Sequence, residues 1–117
     1  MRINKTGVIP RKGCYSKPLW CDRLDEESDR KIAQAKDFIK ETMVKTDKVC
    51  EDSLSFYAIS QDYTELHNGE FILALARFGY KLELSNDSST SCLVNVDYDD
   101  FRKRYEKYCK RNKLPCY

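Results

Sequence analysis

The number and spacing of the cysteines constrain this chain more than any other feature of its sequence. Six cysteines are spread over 117 residues, and a single histidine accompanies them. Zinc sites usually bring their ligands about two to four residues apart, and the chain contains no Cys-x-x-Cys pair. An even number of dispersed cysteines in a small domain is instead typical of disulfide-bonded proteins in oxidising compartments.

The sequence therefore predicts that disulfides close the fold, although six cysteines allow fifteen different pairings. Pairing in sequence order gives three bridges, Cys14–Cys21, Cys50–Cys92 and Cys109–Cys116. The middle bridge would join the end of a long helix to a hairpin. The alternative is a cytosolic protein whose thiols are free and buried.

The length and the hydrophobic pattern predict one small domain that spans residues 1–117. Aromatic residues make up 12% of the chain, which argues against intrinsic disorder because disordered segments contain few of them. The longest unbroken apolar run, Phe71 to Ala76, is far shorter than the roughly 20 residues that a membrane span needs. We therefore expect one hydrophobic core and no membrane span.

Two helices are predicted from apolar residues that recur three and four positions apart. The first covers about Asp25 to Thr46, with acidic residues in its first turn. The second covers Gly69 to Phe78, with Asn68 as its N-cap. Gly79 follows it and suits the left-handed conformation that ends many helices.

Strands are predicted where apolar and polar residues alternate. These segments are Thr6–Ile9, Tyr80–Ser85 and Cys92–Asp97, the last two joined as a hairpin by the polar residues 86–91. The segment Ser53–Ser60 also alternates, so we predict a strand there, with a helix as the competing interpretation. With a further helix near the C-terminus, the fold class is α+β, with about three helices and a small, mainly antiparallel sheet.

The net charge of +2 conceals a segregation of charge along the chain. Residues 1–48 contain 12 basic and 8 acidic side chains, residues 49–100 contain 2 and 10, and residues 101–117 contain 7 and 1. The two ends are therefore basic and the middle is acidic. Either the ends fold against the middle and are neutralised by it, or the surface is bipolar and steers a charged partner.

The last predicted helix has the most suggestive surface. Asp99 or Asp100 is expected to be its N-cap, and the helix is expected to run through Asn112. Its apolar residues share one side and should face the core, namely Phe101, Tyr105, Tyr108 and Cys109. The basic residues that cover its other sides are candidate binding residues, namely Arg102, Arg104, Lys107, Lys110 and Arg111. A basic helix of this kind could contact phosphates, anionic lipid or an acidic protein.

Trp20 is a further candidate binding residue, because exposed tryptophans are frequent hot spots of protein interfaces. The alternative is a core position beside Cys21. No catalytic motif accompanies His67, the only imidazole of the chain. The acidic residues 97–100 lack the central glycine and terminal glutamate of a calcium loop, and the four glycines are too scattered for a phosphate loop. We therefore predict no cofactor and no metal.

These observations favour a non-enzymatic secreted protein of the effector or inhibitor type, whose partner is another macromolecule and most simply a protein. The cysteines favour an extracellular or secretory location, while a cytoplasmic location is the alternative because the first residues contain no apolar signal stretch. A second hypothesis is an intracellular protein that binds nucleic acid or an acidic protein through the basic helix. A small hydrolase is the third. The oligomeric state does not follow from the sequence.

Overall fold

The computed structural model describes residues 2–4, 7–9, 26–49, 51–84 and 91–115 of the chain. The elements occur in the order β1 (Arg2–Asn4), β2 (Gly7–Ile9), α1 (Glu26–Thr42), β3 (Glu51–Asp52), α2 (Ser53–Thr64), α3 (Asn68–Arg77), β4 (Leu82–Leu84), β5 (Cys92–Val94) and α4 (Tyr98–Arg111). The predicted α+β class is confirmed, with four helices in these residues where three were expected. None of the described helices combines the length and the apolar character that crossing a membrane requires.

Helix α1 carries the apolar stripe that its sequence predicts. Ile32 and Ile39 lie on this stripe and are at most 2% exposed. Acidic side chains occupy the first turn, where the positive end of the helix dipole favours them. The helix ends at Thr42, before the predicted Thr46, because the following residues are extended and Lys45 forms an antiparallel bridge with Val96.

The strand predicted over Ser53–Ser60 is wrong, because these residues form the first two turns of α2. Asp52 caps the helix, and its carboxylate accepts a hydrogen bond from the backbone N–H of Leu54 at 2.9 Å. The buried positions have helical spacing, namely Ser53, Phe56, Ser60 and Thr64. Leu54 is 42% exposed and Ala58 is also exposed, so their alternation with Phe56 does not mark a buried strand face.

Helix α3 begins at Asn68, so its N-cap is His67 and not Asn68 as predicted. The predicted stop at its other end is confirmed, because Gly79 has a φ of +87°. The N–H of Gly79 donates to the carbonyl of Ala76 at 3.1 Å, and the N–H of Tyr80 donates to the carbonyl of Leu75 at 3.0 Å. These two hydrogen bonds define a Schellman motif, which requires the left-handed residue.

The strands form two small antiparallel sheets. Strands β4 and β5 make the predicted hairpin, with Leu82 opposite Val94 and Glu83 opposite Leu93. Strand β3 pairs with the other side of β5, so the strand order is β3–β5–β4. Strands β1 and β2 pair separately, contain most of the strand predicted at residues 6–9, and contact α3.

The core lies between the helices and the three-stranded sheet, and aromatic rings connect its parts. The rings of Phe56 and Phe101 meet edge to face with centroids 5.0 Å apart, which joins α2 to α4. The rings of Phe38 and Tyr108 meet in the same way, also at 5.0 Å, and join α1 to α4. Helix α4 is therefore anchored on two sides, and this leaves its remaining sides turned towards solvent.

The structure does not support the predicted bridges Cys50–Cys92 and Cys109–Cys116, because Cys92 and Cys109 are free thiols. Both side chains are at most 1% exposed. The Sγ of Cys109 lies 3.9 Å from the hydroxyl of Tyr63. Both cysteines thus act as small apolar core residues. The other four cysteines lie outside the described residues, namely Cys14, Cys21, Cys50 and Cys116. The predicted bridge Cys14–Cys21 therefore also lies outside them.

Candidate binding site on helix α4

Helix α4 turns an apolar face to the core, as its sequence predicts. Its N-cap is Asp97, whose carboxylate accepts a hydrogen bond from the N–H of Asp100 at 2.8 Å, so the cap lies before the two predicted positions. The three most buried residues of the helix are at most 1% exposed, namely Phe101, Tyr105 and Cys109. Tyr108, the fourth member of the predicted stripe, is half-buried at its edge.

Five exposed cations cover the side of α4 that is turned away from the core, namely Lys103, Arg104, Lys107, Lys110 and Arg111. We call this set the basic face. Because an α-helix turns about 100° per residue, these five positions span an arc of about 120°. Arg102, which the sequence analysis places in the same set, lies outside this arc. It is half-buried, and its guanidinium lies 5.4 Å from the centroid of the Tyr105 ring.

The chain neutralises the basic face only in part. The Nε of Arg104 lies 2.8 Å from the Oδ2 of Asp100, and the guanidinium of Arg111 pairs with Glu41 of α1. Among the described residues, no carboxylate pairs with the three lysines of the face, namely Lys103, Lys107 and Lys110. Asp100 is the only described residue of the acidic segment 49–100 that pairs with the face. In the described part, that segment therefore neutralises one cation of the basic face and leaves the three lysines unpaired.

The helix dipole explains some of these cations but not all. Lys110 and Arg111 stand in the last turn, where the negative end of the helix favours positive charge. The effect falls off within one turn, so it does not account for Lys103, Arg104 and Lys107. Because these three side chains are exposed, they remain available to a binding partner.

The flank of the basic face that borders α1 forms a cleft of about 320 Å³. Its lining side chains come from both helices, namely Lys40, Glu41, Arg104, Lys107, Tyr108 and Arg111. The guanidinium of Arg111 lies 5.7 Å from the centroid of the Tyr108 ring, which also packs on Phe38. Lys40 was not among the residues predicted from the sequence, because only the packing of α1 against α4 brings it to the other cations.

A second polar cluster, also missed from the sequence, joins α1 to α3. Glu70 is fully buried, and its carboxylate accepts hydrogen bonds from the hydroxyl of Ser28 and, at 2.8 Å, from the N–H of His67. The Nζ of Lys31 lies 2.9 Å from the Oε1 of Glu70. Burial alone would raise the pKa of Glu70, but its hydrogen bonds and the Lys31 ammonium together hold that pKa below its usual value. The only local signal was the capping-box spacing of His67 and Glu70.

This cluster is structural, because the chain's own groups bind both oxygens of Glu70. Its His67 is exposed and occupies the N-cap position of α3. Trp20 lies outside the described residues. The acidic residues 97–100 form the start of α4, and the described part of the chain contains no group of three or more His, Cys, Asp or Glu side chains placed to hold a metal ion.

Models of known protein families, curated proteins and solved structures show no match to this chain. The inference of function therefore depends on the chemistry of its own side chains. Among those described, the basic face and the adjoining cleft concentrate positive charge that is exposed to solvent.

Proposed function

We propose that this chain is a non-enzymatic binding protein that engages an acidic segment of another protein through the basic face of α4. The observation that carries the proposal is the set of lysines that are exposed on one side of the helix and have no ion-pair partner in the described residues, namely Lys103, Lys107 and Lys110. Clustered positive charge of this kind attracts an acidic partner and increases its association rate.

An acidic protein segment fits this surface better than a single-stranded nucleic acid does. Proteins that bind single strands combine a basic groove with aromatic side chains on which the bases stack. In α4, Phe101 and Tyr105 face the core, and the half-buried Tyr108 already packs on Phe38 and lies beside the guanidinium of Arg111. The described surface of the helix thus offers positive charge without a free aromatic platform.

Charge reversal of the three lysines tests the proposal, because the opposite face of α4 carries the packing. The test variant replaces Lys103, Lys107 and Lys110 with glutamate. The matched control replaces three other exposed lysines with glutamate, namely Lys36, Lys48 and Lys81. Both variants change the net charge of the chain by the same amount, so they differ only in where the charge lies. Circular dichroism should show that both remain folded, because exposed changes cost little stability.

Fluorescence anisotropy with a labelled decaglutamate peptide provides the readout. We expect the parent to bind the peptide with an affinity that falls as salt rises. The α4 variant should lose at least about tenfold in affinity, and the control less than about twofold. An equal loss in both variants, or no binding by the parent, would refute the proposal. Tighter binding of a single-stranded oligonucleotide of equal charge would favour the nucleic-acid alternative.

The extracellular or secretory location and the effector or inhibitor role remain predictions from the sequence. Their main support was a framework of six bridged cysteines, and Cys92 and Cys109 do not contribute to it in this structure. The proposed contact with an acidic protein does not depend on the compartment, because it rests on the charges of α4 alone.

A further inference from the structure

We propose that the cleft between α1 and α4 binds a phosphomonoester group, such as that of a phosphoserine, carried by the acidic segment of the partner protein. This inference rests on the proposed function and specifies which chemical group the basic face prefers. The charge of the cleft, the free hydrogen-bond donors of its arginines and its size support a phosphate ligand.

The charge of the cleft exceeds what one carboxylate can neutralise. Four cations line it, namely Lys40, Arg104, Lys107 and Arg111. Glu41, the one carboxylate among the described lining residues, pairs with Arg111, and Asp100 pairs with Arg104. Two of the four cations, Lys40 and Lys107, therefore have no carboxylate partner in the described residues. A glutamate of the partner would add a single negative charge, whereas a phosphomonoester brings about 1.5 to 2 and three acceptor oxygens. The doubly charged group therefore matches the cleft better.

The two arginines of the cleft are held by ion pairs but keep free hydrogen-bond donors. Arg104 contacts Asp100 through Nε, which leaves its two terminal nitrogens without a partner in the described residues. Arg111 contacts Glu41 through Nη2, and this ion pair holds its guanidinium at the rim of the cleft. A guanidinium has five N–H donors and can bind two oxygens of a phosphate at once, so both arginines retain donors for a ligand.

The size and surroundings of the cleft favour a phosphate on a peptide side chain. A volume of about 320 Å³ is at the lower end of the range for small-molecule pockets, and its walls are formed by exposed side chains together with the half-buried Tyr108. Lys103 and Lys110 lie on the same face of α4 just outside the cleft, where they can contact acidic residues on either side of the phosphoserine. Free phosphate would use the cleft but not these two lysines.

The test compares three labelled peptides that differ in one central residue. Each has two glutamates on either side of phosphoserine, glutamate or serine. We expect the parent to bind the phosphoserine peptide at least about tenfold more tightly than the glutamate peptide, and the serine peptide most weakly. Inorganic phosphate should displace the phosphoserine peptide only at far higher concentration. If phosphate alone bound as tightly as that peptide, the peptide-borne ligand would be refuted.

Two double variants with the same change in charge separate the cleft from the rest of the face. The variant Lys40→Gln with Arg104→Gln should bind the phosphoserine and glutamate peptides with nearly equal affinity. The control, Lys103→Gln with Lys110→Gln, should weaken both peptides by a similar factor and keep the preference.

Two outcomes would overturn the inference while leaving the proposed function intact. In one, the parent binds both acidic peptides equally well. In the other, the cleft variant keeps the full preference for phosphoserine. If the parent bound none of the acidic peptides, the proposed function would fail together with the inference. Both variants should melt at the temperature of the parent, because all four positions are exposed.

Discussion

Replacing Lys31 with methionine should destabilise the fold by about 3 kcal/mol at pH 7. Its ammonium lies 2.9 Å from Glu70, and the two side chains are 10% and 0% exposed. Removing one partner of a buried pair typically costs about 3–5 kcal/mol, because the other charge stays buried. We expect the lower end of this range, since the hydroxyl of Ser28 and the N–H of His67 still donate to the carboxylate. Methionine preserves the apolar stem, so lost packing contributes little.

The pH dependence of this loss identifies its cause. In the parent the pKa of Glu70 is below its usual 4.5, so its stabilising contribution is complete above about pH 4.5 and is lost as the pH falls through the lower folded value. Removal of Lys31 takes away one of the groups that lower the pKa of Glu70, so we expect that pKa to be higher in the variant than in the parent. Protonation of Glu70 removes its uncompensated buried charge from the variant. The difference in free energy of unfolding between variant and parent should therefore shrink as the pH falls from about 7 to about 4.

Urea denaturation of matched variants provides the measurement. Arg77→Met is the control, because Arg77 pairs with Asp29 at 2.7 Å across the same two helices, α1 and α3, but both side chains are about half exposed. Exposed pairs contribute at most about 1 kcal/mol, so this variant should lose little stability. A loss below about 1 kcal/mol for Lys31→Met, or a deficit equal at pH 7 and pH 4, would refute the reasoning.

Three further predictions concern the helix stop, the core face of α4 and the thiols. Gly79→Val should lower the free energy of unfolding by about 1–2 kcal/mol because valine disfavours a φ of +87°. Gly79→Asn should lower it less in the same urea assay. Equal urea midpoints for both variants and the parent would argue against the left-handed stop. Tyr105→Ala should cost about 3–5 kcal/mol, whereas Tyr105→Phe should cost about 1 because it keeps the ring and loses the 3.0 Å hydrogen bond to the hydroxyl of Tyr63. Cys92 should resist alkylation in the folded protein because burial raises its pKa to about 12, and Cys109 should resist because its side chain is only 1% exposed to the reagent. Both should be alkylated in denaturant without reductant, and peptide mass spectrometry that found either one in a disulfide would contradict the structure.

The segment that forms α2 shows why periodicity alone misassigned one element. Over a short run, Leu54, Phe56 and Ala58 fit the period of a strand, while Phe56 also fits a helical set with Ser53 and Ser60. The two patterns differ mainly in which small or polar residues become buried. The sequence alone does not show which of these residues are buried. The N-cap hydrogen bond of Asp52 and the packing of Phe56 on Phe101 decide for the helix.

The free cysteines show a different limit. The number and spacing of the six cysteines predicted disulfides that include Cys92 and Cys109. A disulfide requires two sulfur atoms at bonding distance. That distance depends on how β5 and α4 pack against the rest of the chain. In the structure both thiols are buried in the interior as free side chains, which composition alone cannot distinguish from a bridged cysteine.

Features that depend on neighbours within about one helical turn could be predicted from the sequence. These include the apolar stripe of α1, the left-handed stop at Gly79 and the division of α4 into a core face and a basic face, because helical spacing and local backbone hydrogen bonds set them. Contacts between groups that are distant in the sequence depend on the three-dimensional packing. This packing brought Lys40 to Arg104 in the cleft and Lys31 to Glu70 in the interior, because such contacts arise from the packing of one helix against another rather than from the local sequence.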